Sequence, residues 1–405
     1  MSSTHELLEA AEHGGLGNYR PAPLVALTGS GRHLRDTDGR SYLDLTAGNA
    51  VTAVGHAHPR VTAAIAEQAG RVLHTSNLFH NEPSIRFTQE LIARTAFDRV
   101  YLCNSGAEAN ETLIKLARRH HFRHGATERV RIVATTGGFH GRTMGALTLT
   151  GRDLYKTGMG PLLGGVDHVP YNDLRAMEEA VTETTAAVIV ETIQAEAGVI
   201  PAREDYLRGL REICERTGAL LFFDEVQTGY GRTGAFLSHE HSGVVPDACS
   251  LAKGIAAGFP MGAVAVREHL AGALPPGTHA STFGGNPVAC AAALAVLDVF
   301  EDEDLLANAT SRGEALATAL AAMVADPALP ATASRGKGLL QGLVLADDVD
   351  VAALLTGLRE QGVLLARVGH QVLRFSPALN ITAEELDEGL AVVTRVLAEA
   401  PRAAA

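Results

Sequence analysis

The sequence predicts an α/β fold: a large domain on a mostly parallel sheet flanked by helices, followed by a smaller α+β domain. Three observations carry this. Short, nearly continuous apolar runs recur between residues 100 and 266, and helical patterns separate most of them. The chain has 405 residues, enough to bury a large core and usually to form more than one domain. The composition changes near residue 295, and a second set of helices and strands follows.

The elements follow in order. After an irregular lead-in, residues 32–36 and 41–45 flank an Asp38-Gly39 turn and read as a hairpin. Residues 61–72 and 83–93 have helical periodicity, with proline opening the second. Strands are expected at 100–103, 131–134, 187–190, 220–223, 248–251 and 263–266, with a helix at 206–217. Past the change in composition, 302–324 reads as helical, and 339–345 and 373–375 read as strands. Thr382-Ala383-Glu384-Glu385 is a capping box that opens the last helix. The expected division is an N-terminal segment 1–55 packing with the small domain, a large domain 56–295 and a small domain 296–405.

Charge and composition narrow the function. The net charge of -12 argues against sequence-independent nucleic-acid binding, which needs a positive surface. The N-terminus lacks a basic stretch followed by an apolar one, and no apolar run is long enough to span a membrane. Cys103, Cys214, Cys249 and Cys290 lie far apart in apolar stretches and read as reduced core cysteines of a cytoplasmic protein. His120 and His124 stand one helical turn apart, but no acidic or cysteine ligand accompanies them, so no metal site is expected.

Four motifs fall at the carboxyl ends of expected strands, where such sheets bind ligands. Ser105-Gly106-Ala107 is a tight turn at a helix start, whose free N–H groups suit a phosphate. Gly138-Phe139-His140-Gly141-Arg142-Thr143 offers a stacking ring and a carboxylate-binding arginine. Asp224 ends a buried run, ahead of Glu225-Val226-Gln227. Lys253, in Leu251-Ala252-Lys253-Gly254, is one of four lysines and alone follows a buried strand. A lysine and an aspartate at neighbouring strand ends suit an enzyme that holds pyridoxal 5'-phosphate: the amine bonds the aldehyde, and the carboxylate holds a proton on the ring nitrogen. Taken singly, each motif also has an ordinary structural reading, as a helix cap, a core ring or an exposed charge.

Together, in order and spacing, they make the chain resemble the class III aminotransferases of fold type I, from about Asn18 to the final helix. Residues 48–52, 55–59 and 75–79 resemble the acetylornithine-specific subgroup most. The resemblance implies that Ser105, Gly106 and Ala107 bind the phosphate, Phe139 and Val226 pack on the two ring faces, Asp224 pairs with the ring nitrogen, and Gln227 contacts the ring hydroxyl. Glu191 and Glu225 would complete the cofactor shell. Lys253 would carry the cofactor and move the proton. Ser281 and Thr282 would come from the partner subunit of a homodimer, with Thr282 on the phosphate. Arg142 would hold the α-carboxylate of N2-acetylornithine, and Arg374 that of glutamate or 2-oxoglutarate. Glu196 would pair with Arg374 while the donor is bound, and Tyr19 would stand at the entrance. Ornithine, 4-aminobutyrate and succinyl-diaminopimelate remain alternative donors, since the cofactor residues would be shared. The chain departs from the family's usual Glu-Pro-Ile-Gln-Gly-Glu at Thr192 and Ala195, so loop shape beside the ring is expected to differ, and from its usual glycine at Ala280, which bears on the subunit-crossing loop.

Overall fold

A computed structural model describes residues 3–400. Its centre is a seven-stranded sheet in the order Arg99–Cys103, Gly262–Val266, Ala248–Leu251, Leu220–Asp224, Thr185–Glu191, Arg131–Thr135, Val166–Val169. Only Gly262–Val266 runs antiparallel to its neighbours. All six expected strands are present, most a residue or two longer. The seventh, Val166–Val169, escaped the sequence because Asp167 and His168 break its apolar run at the sheet edge.

Strand alternation sorts the side chains onto two faces. Leu221 and Phe223 join the core beneath the helix Glu204–Thr217, whose Tyr206, Leu210, Ile213 and Cys214 recur at helical spacing. Leu220 and Phe222 join the core beneath the helix Gly106–Arg123, with Leu113 and Ala117. Asp224 continues the second set, so it faces the helix that begins at Gly106. Its register neighbours are Glu191 and Ser250 on the flanking parallel strands. The four cysteines are free and buried. No helix among the described residues is long and apolar enough to cross a membrane.

The N-terminal strands Ala26–Ser30, His33–Asp36 and Ser41–Asp44 form a sheet with Val363–Leu364 from the C-terminal part, where Leu43 pairs with Val363. A second antiparallel sheet is ordered Ala331–Lys337, Leu340–Leu345, Val372–Phe375, Ala366–Val368. The helix Pro287–Asp302 runs through the boundary expected at 295/296 and packs on the helices Pro59–Ala69 and Glu82–Ala93. The chain turns at Asp304 (φ 46°) into Leu305–Ala325, which packs on the C-terminal sheet. Thr382 caps the last helix in the expected box, and Glu385 of that box also pairs with Arg32 at 2.7 Å.

Arg232 ties the central part to the C-terminal sheet. It is 2% exposed, and its Nη1 donates to the carbonyls of Leu339 (3.1 Å) and Pro377 (2.5 Å). Burial, with Arg374 nearby, lowers its pKa to about 9. Arg232→Ala leaves two buried carbonyls without their donor and opens a void. A loss of about 3 kcal/mol in unfolding free energy, read from urea denaturation, is expected.

Candidate active site

The carboxyl ends of the parallel strands open into a cleft of about 300 Å³. Ten sequence-predicted residues line it: Ser105, Gly106, Ala107, Phe139, Glu191, Glu196, Asp224, Val226, Gln227 and Lys253. Ser105 is the N-cap of its helix, its Oγ accepting from the Glu108 N–H at 3.2 Å. That turns the uncapped N–H groups and the positive end of the helix dipole toward the cleft. Gly106 is required by packing, because a Cβ there would meet the Val226 side chain at 2.7 Å.

Asp224 is held by three protein groups. Its Oδ2 accepts from Asn110 Nδ2 at 2.7 Å and pairs with His140 Nδ1 at 2.8 Å; its Oδ1 accepts from the Val226 N–H at 3.0 Å. Burial by itself would raise this carboxyl, but the His140 bond and charge outweigh it and hold Asp224 below its usual range. Burial likewise opposes a charge on His140, and the Asp224 bond outweighs it, so the imidazole titrates above its usual value. The pair is therefore ionic. Glu191, one strand over, accepts from the Phe139 N–H at 2.9 Å. Burial pushes it up to about 7, opposed by His140 and reinforced by Asp224.

Lys253 opens the short 3-10 turn Lys253–Ala256 after the strand Ala248–Leu251, with a left-handed backbone (φ 44°). A side chain in that region costs about 1–3 kcal/mol, a strain typical of functional sites. Burial lowers its amine to about 8, with Glu196 opposing and Arg374 adding to the fall.

Arg374, 2% exposed, stands on Val372–Phe375 behind the cleft. Its Nη1 donates to Glu196 and, at 2.9 Å, to Gln227 Oε1; its Nη2 donates to Asn49 Oδ1 at 2.8 Å. Burial would raise the Glu196 carboxyl, but Arg374 lowers it on balance, so this pair is ionic too. Asn49 belongs to a left-handed turn in which Ala47, Gly48, Asn49 and Ala50 all have positive φ.

Other predicted residues lie elsewhere. Glu225 is corrected: it does not face the cleft. It follows Asp224 onto the opposite side, where its carboxylate accepts from the N–H groups of Ser238 (2.6 Å) and His239 (2.8 Å) and pairs with His239 Nδ1. Ser281 and Thr282 line a separate hollow with Asn104 and Glu108. Tyr19 is 80% exposed and does not line the cleft. Arg142 lies at the rim, its guanidinium carbon 5.6 Å from the Phe139 ring centroid. Thr192 and Ala195 do not reach the cleft either; the Thr192 hydroxyl donates to Ser238 Oγ at 2.9 Å behind it. Sequence reasoning passed over His140 and Asn49, although each stands inside a motif it quoted, and Asn110, five positions past Ser105. It had no signal for Tyr155, which packs against Arg142.

A buried amine, a fixed carboxylate at the neighbouring strand end and a helix N-terminus around one small cleft define an enzyme that carries an aromatic phosphate-bearing aldehyde cofactor on a lysine. The comparisons make this specific. The family model described as aminotransferase class-III matches residues 17–397, so the chain belongs to the class-III aminotransferases, which depend on pyridoxal phosphate. It is 44% identical over 393 residues to the acetylornithine aminotransferase of Gloeobacter violaceus, covering 97% of this chain and 98% of that one. The ornithine aminotransferase of Toxoplasma gondii, whose crystals grown with oxidized glutathione show partial occupancy of the cofactor, superposes with a TM-score of 0.94. It is 33% identical, over 98% of this chain and 94% of that one. The acetylornithine aminotransferase of Elizabethkingia anophelis gives a TM-score of 0.88 at 32% identity, over 98% and 100%.

Because the neutral amine is the nucleophile, reaction of Lys253 with cyanate in the cofactor-free protein should rise through a midpoint near pH 8. Peptide mass spectrometry checks this; a midpoint near 10.5, the ordinary lysine value, would remove the argument for an activated amine.

Proposed function

We propose that this enzyme transfers the terminal amine of N2-acetyl-L-ornithine to 2-oxoglutarate, giving N-acetyl-L-glutamate 5-semialdehyde and L-glutamate, as a cytoplasmic step of arginine synthesis. The observation that carries it is Arg374, buried, close enough to act on the Lys253 amine and paired with Glu196, which lines the cleft. One cleft must serve two substrates in turn, and only one of them brings a second carboxylate.

Pyridoxal phosphate, when bound, supplies the electron sink that stabilises negative charge beside the transferred nitrogen. The donor set fits it. Ser105, Gly106 and Ala107 would take the phosphate, Phe139 and Val226 the ring faces, Gln227 the ring hydroxyl, with Glu191 behind the Phe139 turn. Asp224, kept ionised by His140, would hold a proton on the ring nitrogen. Lys253 would carry the cofactor and, as a base of pKa about 8, move the proton at the reacting carbon. Arg374 and Glu196 handle the alternation. Leaving a buried arginine unpaired costs about 3–5 kcal/mol, so Glu196 stays on it until a substrate carboxylate takes its place. Gln227 and Asn49 keep hold of the guanidinium in both phases.

Arg142, beside Phe139, would bind the donor's α-carboxylate, with Tyr19 at the entrance. Sequence similarity to acetylornithine aminotransferases supports this donor; the close superposition on an ornithine aminotransferase favours free ornithine as the second reading. Specificity constants for acetylornithine, ornithine, 4-aminobutyrate and succinyl-diaminopimelate, each with 2-oxoglutarate, decide. Acetylornithine should lead by at least about tenfold, or 1.4 kcal/mol of transition-state preference. A lead by another donor would replace the substrate and keep the chemistry.

The enzyme would act as a homodimer in which Ser281 and Thr282 complete the partner's site. Two features support this. Both residues lie outside their own cleft, and Leu78 (82% exposed), Phe79 (72%) and Phe283 (60%) crowd the same surface, where Asn77 Nδ2 donates to the Ser281 carbonyl at 2.6 Å. Co-expressing Lys253→Ala with Thr282→Asp subunits tests it. Each variant alone should be inactive, and random mixing should restore about a quarter of wild-type activity through hybrid dimers with one intact site. No recovery would separate Thr282 from the partner's chemistry.

A further inference from the structure

The turn that carries Glu196 is held by its backbone from two directions. Its ends pair as the strands Ile193–Gln194 and Ile200–Pro201, and the Val199 N–H donates to the Ala195 carbonyl at 3.2 Å. Ala195 and Val199 are buried against Leu340, Val368 and Val372 of the C-terminal sheet. Val199 keeps a left-handed backbone (φ 56°), which a β-branched residue adopts only where its surroundings enforce it. From that same side the Gly369 N–H donates to the Glu196 carbonyl at 3.0 Å, and Arg335 Nε donates to the Gly198 carbonyl at 2.9 Å. From the central part comes Arg152, whose Nη2 also donates to the Glu196 carbonyl, while its Nη1 donates to the Tyr155 hydroxyl at 3.2 Å. The Glu196 carboxylate is held separately, by Arg374 and by Gln227 Nε2 at 3.3 Å.

A pinned backbone lets the carboxylate reach Arg374 without first ordering its loop, so the pin strengthens the pair. That pair is the competitor of an incoming carboxylate. Glutamate and 2-oxoglutarate each carry two carboxylates: one displaces Glu196 from Arg374, and the other is left for Arg142. N2-acetylornithine carries one, for Arg142, and leaves the pair intact. We propose that Arg152 is a positioning residue that pins the Glu196 turn and thereby sets how readily a dicarboxylate substrate displaces Glu196 from Arg374. This role rests on the carboxylate exchange of the proposed function. Only the fraction of enzyme with Arg374 released binds glutamate, so the apparent affinity scales with that fraction. The donor meets the paired form, which predominates with or without the pin.

Stopped-flow measurement of the two half-reactions of the holoenzyme, followed by cofactor absorbance, tests this. The probes are glutamate and N2-acetylornithine, or whichever donor wins the competition above. For Arg152→Met the half-saturating glutamate concentration should fall about threefold, with its limiting rate and the whole donor half-reaction each within about twofold. General damage to the cleft would weaken both substrates, and an effect passed through Tyr155 to Arg142 would also appear in both, because Arg142 serves both. Glu196→Gln removes the competing charge and should lower the half-saturating glutamate concentration further, about tenfold. If it does not, the exchange itself fails, and the role of Arg152 with it. If Glu196→Gln lowers that concentration but Arg152→Met leaves it unchanged, raises it, or shifts both half-reactions equally, the exchange stands and the pin is overturned. Should Arg152→Met fail to accumulate as folded protein, Arg152→Gln decides by the same criterion.

Discussion

An ionised carboxylate at the heart of a sheet is the constraint around which this protein is arranged. Asp224 stands at the end of a strand whose five residues are all buried. A charge there is tolerable only if the protein replaces its lost water. Asn110, His140 and the Val226 N–H do so, and each comes from a different piece of the scaffold: the helix begun at Ser105, the loop after Arg131–Thr135, and the turn after Asp224 itself. Holding those three in place fixes the same elements that carry Ser105, Phe139 and Val226. Satisfying one buried anion thus places the elements that line the cleft.

The second buried ion pair follows a different logic. Arg374 belongs to the C-terminal sheet, whereas Glu196 and Gln227 belong to the loops around the central one. Its remaining ligand, Asn49, lies in a left-handed turn near the N-terminal strands, which are themselves paired with Val363–Leu364. Three regions therefore converge on one guanidinium. The Asp224 cluster is held by donors fixed in the scaffold. The Arg374 cluster has one partner on a loop, so a carboxylate from outside can replace it. A fixed charge and an exchangeable one, both near Lys253, give a site with constant chemistry and two alternating substrates.

Much of this was legible before folding. The apolar runs located six of the seven central strands, because a strand buried on both faces must be apolar throughout. The edge strand Val166–Val169 lacks that requirement and was missed. The Ser105, Phe139, Asp224 and Lys253 motifs were legible because chemistry at the carboxyl end of a parallel strand follows from where the strand stops, whereas Glu191 and Glu196 were named only through the resemblance to class III aminotransferases. Glu225 was misplaced by the same adjacency: it sits next to Asp224 in the chain, but the alternation of a strand sends it to the other face.

The sequence by itself determined the sheet, the order of its motifs and the identity of Lys253 and Asp224, since these rest on periodicity and on residues a few positions apart. Only the tertiary structure decided which groups compensate the buried charges and which seat the rim arginine. His140 meets Asp224 across 84 positions of chain, Glu196 meets Arg374 across 178, and Asn49 meets Arg374 across 325. Such contacts leave no local pattern, because they are set by how the chain closes on itself and not by what any segment prefers on its own.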